Sequence, residues 1–193
     1  MKDANESLYK NITLNDVQLA AAYYPILIDL AKHKHCLTYG ELVRKAQEMY
    51  PEKEYVKNAI AVSTGRKLDV VRIFPNERNL PDVTSLIINK NEGECGTGFT
   101  NYYNFEEARK EVYCYDWSKV SPDFDIYIKV VEKRATPRKR RYRDEAKLIM
   151  SEHYRAAREL YPPSIRKKRE EIIILLMEGF SPEESFSQVL KSE

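Results

Sequence analysis

A chain of 193 residues with 42% hydrophobic side chains, 32% charged ones and only 6 glycines can build one full-sized domain with an appendage, or two small domains, and excludes wholesale disorder. Its longest apolar runs, such as Ile172–Met177, fall far short of the roughly 20 residues a membrane-spanning helix needs. Three cysteines without a CxxC spacing, Cys36, Cys95 and Cys114, argue against a secreted disulfide framework and for a cytoplasmic setting.

The first helical signal is TLNDVQLAAAYYPILIDLAKHKH, where Thr13 can cap and Pro25 is expected to kink or split the helix. In LTYGELVRKAQEMYP, Thr38 and Glu41 have capping-box spacing, and Leu42, Val43, Ala46 and Met49 recur at helical intervals before Pro51. A third helix is predicted within YVKNAIAVSTGRKLDVVRIF, weakened by Gly65. Val83–Ile88 reads as a buried strand, residues 91–98 as a turn, NFEEARKEVYCYDW as a helix and Phe124–Val131 as a strand. Beyond these the chain reads as wholly helical. Gly179 can end one helix, while Ser181, Pro182 and Glu184 supply the cap, first turn and capping box of the next.

The formal net charge of +2 conceals an asymmetry. Residues 133–193 carry 15 Lys/Arg against 10 Asp/Glu, a balance of +5, which leaves 17 against 20, or −3, for residues 1–132. The sharpest excess is KRATPRKRRYR, Lys133–Arg143, with seven basic residues and no acid. Such a run attracts polyanions by counterion release, or serves as a solvated linker.

Helix, helix, then strand and turn is the order of a winged-helix module, whose second helix enters the DNA major groove. On that reading Asn58 pairs with adenine, Arg66 with guanine, and Ser63, Thr64 and Lys67 hold phosphates, with Tyr39 opening the supporting helix. Residues 38–99 resemble the DNA-binding domain of the DNA alkylguanine alkyltransferases and alkyltransferase-like proteins. The resemblance lies in Tyr39–Glu41, in Ala59–Gly65, and in a strand followed by a glycine-rich loop ending in Phe99. It implies a winged helix that binds DNA. The Pro-Cys-His-Arg motif of that family is absent, since Thr84, Ser85, Leu86 and Ile87 stand in its place, so the resemblance extends to the architecture without the alkyl-transfer chemistry.

Other chemistries find little support. Cys95 has Glu92 and Glu94 as neighbours, which oppose a reactive thiolate. His33, His35 and Cys36 point to different helix faces and lack a completing cluster for zinc. Pro81–Asp82 followed by Lys90 lacks the second carboxylate of a magnesium nuclease, because Ile88 occupies its position. HYRAAR, from His153 to Arg158, lacks the His-x-x-Arg spacing of tyrosine recombinases.

The sequence thus predicts an α+β protein: a winged-helix-like domain with a small sheet at residues 1–132, a basic linker at 133–143, and a helical hairpin or extension at 144–193. The expected role is non-enzymatic binding of double-stranded DNA, as a regulator or a phage or mobile-element protein, without cofactor, metal or membrane. Tyr39, Asn58, Ser63, Arg66, Lys67, Arg138, Lys139, Arg140 and Arg141 form the expected DNA-binding set. The rival expectation is a protein-interaction module, an inhibitor or adaptor, whose C-terminal helices, with the apolar run Ile172–Met177, dock on a partner or on a second copy.

Overall fold

A computed structural model describes residues 12–90, 93–101, 103–119, 123–135, 138 and 140–190. The chain divides into two compact units, Met1–Thr136 and Pro137–Glu193.

The first unit is built on α1 (Leu14–His33), whose Thr13 and Asp16 form a reciprocal capping box. The helix runs unbroken through Pro25. Pro25 lies on the exposed side, where the carbonyl of Ala21, deprived of its donor, meets water rather than a sealed core. Thr38 and Glu41 cap α2 (Tyr39–Met49) in the same manner. The expected third helix is divided into a short α3 (Glu54–Lys57), a 3-10 turn at Ala61–Ser63 and α4 (Thr64–Arg78). The Gln47 side-chain amide donates to the carbonyls of Val56, Lys57 and Ala59, satisfying the backbone where the chain leaves α3.

The α+β expectation is overturned: the fold is mostly helical, and its sheet among the described residues is two strands of two residues each. Strand β1 (Leu37–Thr38) pairs in parallel with β2 (Ile87–Ile88). A wing is an antiparallel hairpin, and this parallel pair of two-residue strands is not one. Only the end of the expected Val83–Ile88 strand is extended. Asp82 accepts the Thr84 amide at 2.9 Å and draws Val83–Leu86 into a 3-10 turn. Residues 91 and 92 of the expected turn lie outside the described residues; Gly93 has φ +70° and Thr97–Thr100 forms the short α5.

NFEEARKEVYCYDW gives α6 (Phe105–Cys114), capped by Asn104. The expected strand Phe124–Val131 is instead part of α7 (Asp123–Arg134). Burial explains why: Phe124, Tyr127, Ile128 and Val131 are buried at helical spacing, whereas Ile126 and Val130, which an alternating strand would place beside Phe124 and Ile128, are 60% and 43% exposed. Phe124 and Tyr127 join Tyr24 of α1 and Phe74 of α4 in an aromatic cluster, and the Tyr127 hydroxyl donates to the Val70 carbonyl at 2.7 Å.

The second unit contains α8 (Arg143–Ala156), α9 (Arg169–Met177) and α10 (Pro182–Leu190), with 3-10 turns at Arg158–Leu160 and Pro163–Lys168. Gly179 ends α9 with φ +92°, a conformation that side chains with a Cβ rarely adopt. Ser181 and Glu184 cap α10 reciprocally. Ile172, Ile173, Leu175 and Leu176 are at most 2% exposed. They form the core with Met150, Phe180 and Phe186, which removes the expected apolar docking face at Ile172–Met177.

Gly96 yields a direct test of packing in the first unit. Its amide donates to the Tyr39 hydroxyl at 3.2 Å, and a Cβ at this position would meet that hydroxyl oxygen at 2.7 Å. Gly96→Ala should cost about 1–2 kcal/mol by urea denaturation. In a Tyr39→Phe background the added cost should fall to near zero, since the obstructing atom is gone; strictly additive losses would contradict the contact.

Candidate functional site

The helix expected to read DNA is turned inward. Lys67 is 0% and Ser63 1% exposed, and Thr64 is fully buried, so none of the three can hold a phosphate on a duplex surface. The cause is Asp16, itself 1% exposed, whose carboxylate lies 3.4 Å from Lys67 Nζ and 3.1 Å from Arg66 Nη2. It also accepts the Thr13 amide at 3.0 Å and the Thr13 hydroxyl at 2.9 Å. Arg66 keeps a 30% exposed side chain but is engaged with this carboxylate. Asn58 folds back on α3, donating to the Glu54 carbonyl and carboxylate at 3.1 Å each, and Tyr39 packs against the Gly96 loop. The six first-unit residues expected at the DNA interface thus form no common exposed surface.

Burial pushes the Asp16 carboxyl up, but Lys67, Arg66 and the Thr13 amide pull it down more strongly, leaving it below its ordinary value of 3.8.

The basic run is not a free linker either. Lys133 and Arg134 end α7, where cations suit the helix dipole. Arg138 pairs with Glu184 at 3.2 Å and lies over the Phe180 ring at 4.2 Å. Arg141 donates from Nη1 to the Leu176 and Phe180 carbonyls at 2.9 and 2.8 Å, and its backbone amide donates to the Met177 carbonyl. Arg141 thus binds carbonyls at and just beyond the end of α9, while Arg138 ties to the first turns of α10 through Glu184. Arg143 pairs with Glu170. Arg140 remains exposed, and Lys139 lies outside the described residues.

A different set of cations surrounds a cavity of about 600 Å³ in the second unit. Arg155, near the end of α8, and Arg158, in the turn after it, line it together with Arg166 and Arg169, which precede and open α9. All four are exposed, and among the described residues none forms an ion pair with a carboxylate; Glu170, Glu171 and Glu183 pair instead with Arg143, Lys168 and His153. Arg166 Nε donates to the Tyr154 hydroxyl at 3.0 Å. That bond, with Arg158 nearby, holds the phenol below its ordinary pKa. The floor is apolar, made by Met150, Ile165, Ile172 and Phe186.

Local structure places these groups. The double proline Pro162–Pro163 turns the chain back toward α8. His153 and Tyr161 share a 2.7 Å hydrogen bond and pack with Phe186 at ring separations of 5.0 and 4.6 Å, which fixes the turn carrying Arg158 onto α10. Sequence reasoning missed this site. Its signal is two arginine pairs at i,i+3 spacing, Arg155/Arg158 and Arg166/Arg169, on either side of the double proline.

The remaining candidates are structural. Cys95 is 3% exposed, donates to the Ser85 carbonyl at 3.3 Å, and burial pushes its thiol up to about 11, the reverse of nucleophile activation. Asp82 pairs with Arg72 at 3.1 Å and caps Thr84. His33 bonds the Asp29 carbonyl at 2.9 Å, and Cys36 Sγ lies 3.2 Å from the Tyr113 hydroxyl. Among the described residues no three His, Cys, Asp or Glu side chains gather as a metal site. No protein-family model matches the chain, and no curated protein or solved structure matches it either.

The buried ion pairs make the first unit acid-sensitive. Because the folded pKa of Asp16 lies below its unfolded value, its contribution is fully present above about pH 4 and is lost as pH falls through the folded value. Asp16→Asn should lower stability at neutral pH by about 3–5 kcal/mol, since it removes the carboxylate that faces Lys67 and Arg66, and flatten the acid limb of a stability profile measured by urea titration. An unchanged acid limb would contradict the assignment.

Proposed function

We propose that the chain is a non-enzymatic nucleic-acid-binding protein, DNA being the expected ligand, and that it grips the phosphate backbone with Arg155, Arg158, Arg166 and Arg169 of the second unit. The carrying observation is the arrangement itself: four exposed guanidinium groups around one cavity, none paired with a carboxylate among the described residues. Guanidinium forks bind phosphate oxygens in bidentate fashion and are more weakly hydrated than ammonium groups. Tyr154 adds a hydroxyl to the same rim. The burial of Lys67 and Ser63 counts against base reading by α4, so the binding proposed is electrostatic and little dependent on sequence.

The rival reading, a module docking through its last helices, loses its main support because Ile172, Ile173, Leu175 and Leu176 are interior. In the first unit Arg66, Lys67 and Arg72 are tied to Asp16 and Asp82, which leaves the expected reading helix without its phosphate-binding cations.

Anisotropy of labelled DNA between about 50 and 200 mM salt tests the proposal. Four phosphate contacts imply a log–log slope of roughly −2.8 to −3.6, and a loss of affinity of about 50- to 150-fold across that range. The double variant Arg155→Gln, Arg169→Gln should reduce the slope by about 1.5 while leaving the melting temperature unchanged. Arg141→Gln should lower the melting temperature instead, because its carbonyl partners lose their donor. Absence of binding at low salt, or an unchanged slope in the double variant, would overturn the proposal.

A further inference from the structure

We infer that the arginine-lined cavity takes an unpaired nucleotide, so that the ligand is single-stranded nucleic acid rather than a duplex; the inference rests on the proposed backbone grip and concerns what lies beneath it. A surface designed only for duplex phosphates needs cations at the spacing of the backbone and no recess. Here the cations rim a concavity of about 600 Å³ with an apolar floor of Met150, Ile165, Ile172 and Phe186, within the usual size range of ligand pockets.

A duplex keeps its bases stacked inside and presents charged, hydrated phosphates to such a recess, leaving the floor unfilled. A single strand can turn a base out of the stack, place its flat apolar face in the recess, and leave the flanking phosphates to the guanidinium groups that line it. The rim also carries a flat partner for a base. Tyr154 is half-buried, its hydroxyl is held by Arg166, and the same guanidinium lies 5.9 Å from the ring centroid, so ring and guanidinium together form the surface on which a base would stack. Arginine contributes as well, since a guanidinium plane stacks on bases while it neutralises phosphate.

An acidic peptide shares the charge complementarity and is the principal competitor. It would use the arginines in the same way, but only its side chains, not an integral part of its backbone repeat, would enter the recess. A strand repeats a flat apolar group beside every phosphate, which matches four cations set around one apolar hollow.

The test compares four probes of equal charge at one salt concentration: a labelled single strand, a duplex of half its length, the same strand with abasic sites at alternate positions, and a poly-glutamate peptide. The intact strand should bind at least about tenfold more tightly than the duplex, and abasic sites should cost about tenfold, within the range expected for a stacked base. Tyr154→Ala should weaken the intact strand about tenfold and the abasic strand by less than twofold, with unchanged salt slopes. Equal affinity for strand, duplex and abasic strand would overturn the base-binding inference while leaving the backbone grip intact. Poly-glutamate binding as tightly as the intact strand would show that the recess reads charge alone, which also overturns it. No binding of any DNA probe would sink both readings together.

Discussion

A single buried carboxylate sets the arrangement of the first unit. Asp16 closes the N-terminus of α1 through Thr13 and, from the same side chain, meets the two cations of α4 at Arg66 and Lys67. Each function constrains the other. The cations that α4 brings within 3.4 Å help Asp16 stay ionised at 1% exposure, and the carboxylate in turn offsets the cost of burying Lys67. Once α1 and α4 are fixed in this register, Tyr24 and Phe74 are placed to receive Phe124 and Tyr127 from α7, and the face of α4 that carries Ser63 and Lys67 becomes interior.

The second unit divides its arginines between two tasks. Arg138 and Arg141 satisfy a carboxylate and the terminal carbonyls of α9, so their loss would be felt as instability. Arg155, Arg158, Arg166 and Arg169 stand exposed around an apolar hollow. No structural role in the unit requires four cations at that rim, apart from the hydrogen bonds of Arg166 and Arg158 to Tyr154. The densest run of positive charge in the sequence is therefore largely consumed by folding, and the available charge lies further on, at Arg155 and Arg158 and in the shorter basic run of residues 166–169.

Local signals in the sequence translate well into structure. The Thr38–Glu41 box and the Gly179, Ser181, Glu184 set all form as their spacing implies, because each is decided within a few residues. Where the sequence supports two periods, tertiary burial decides: Phe124–Val131 alternates well enough for a strand, yet the neighbours offered by α1 and α4 favour the helical stripe. Val83–Ile88 has strand composition, but Asp82, held by Arg72, winds its first half into a turn. The candidate site was least legible, because the fate of a cation depends on partners far away in sequence. Lys67 finds Asp16 across 51 positions, and Arg141 finds Phe180 across 39; neither pairing leaves a local trace. The Arg155/Arg158 and Arg166/Arg169 pairs do leave one, although spacing alone cannot show that they face the same hollow.

The central claim is that nucleic acid is held by the arginines around that hollow and not by the basic run or by α4. Side-chain Nε–Hε resonances of the full chain, followed as a short single-stranded oligonucleotide is added, report on each guanidinium separately. The account predicts shifts for Arg155, Arg158, Arg166 and Arg169, with Arg66, Arg138 and Arg141 unmoved. Shifts confined to Arg66, Arg138 or Arg141, or none at saturating oligonucleotide, would contradict it.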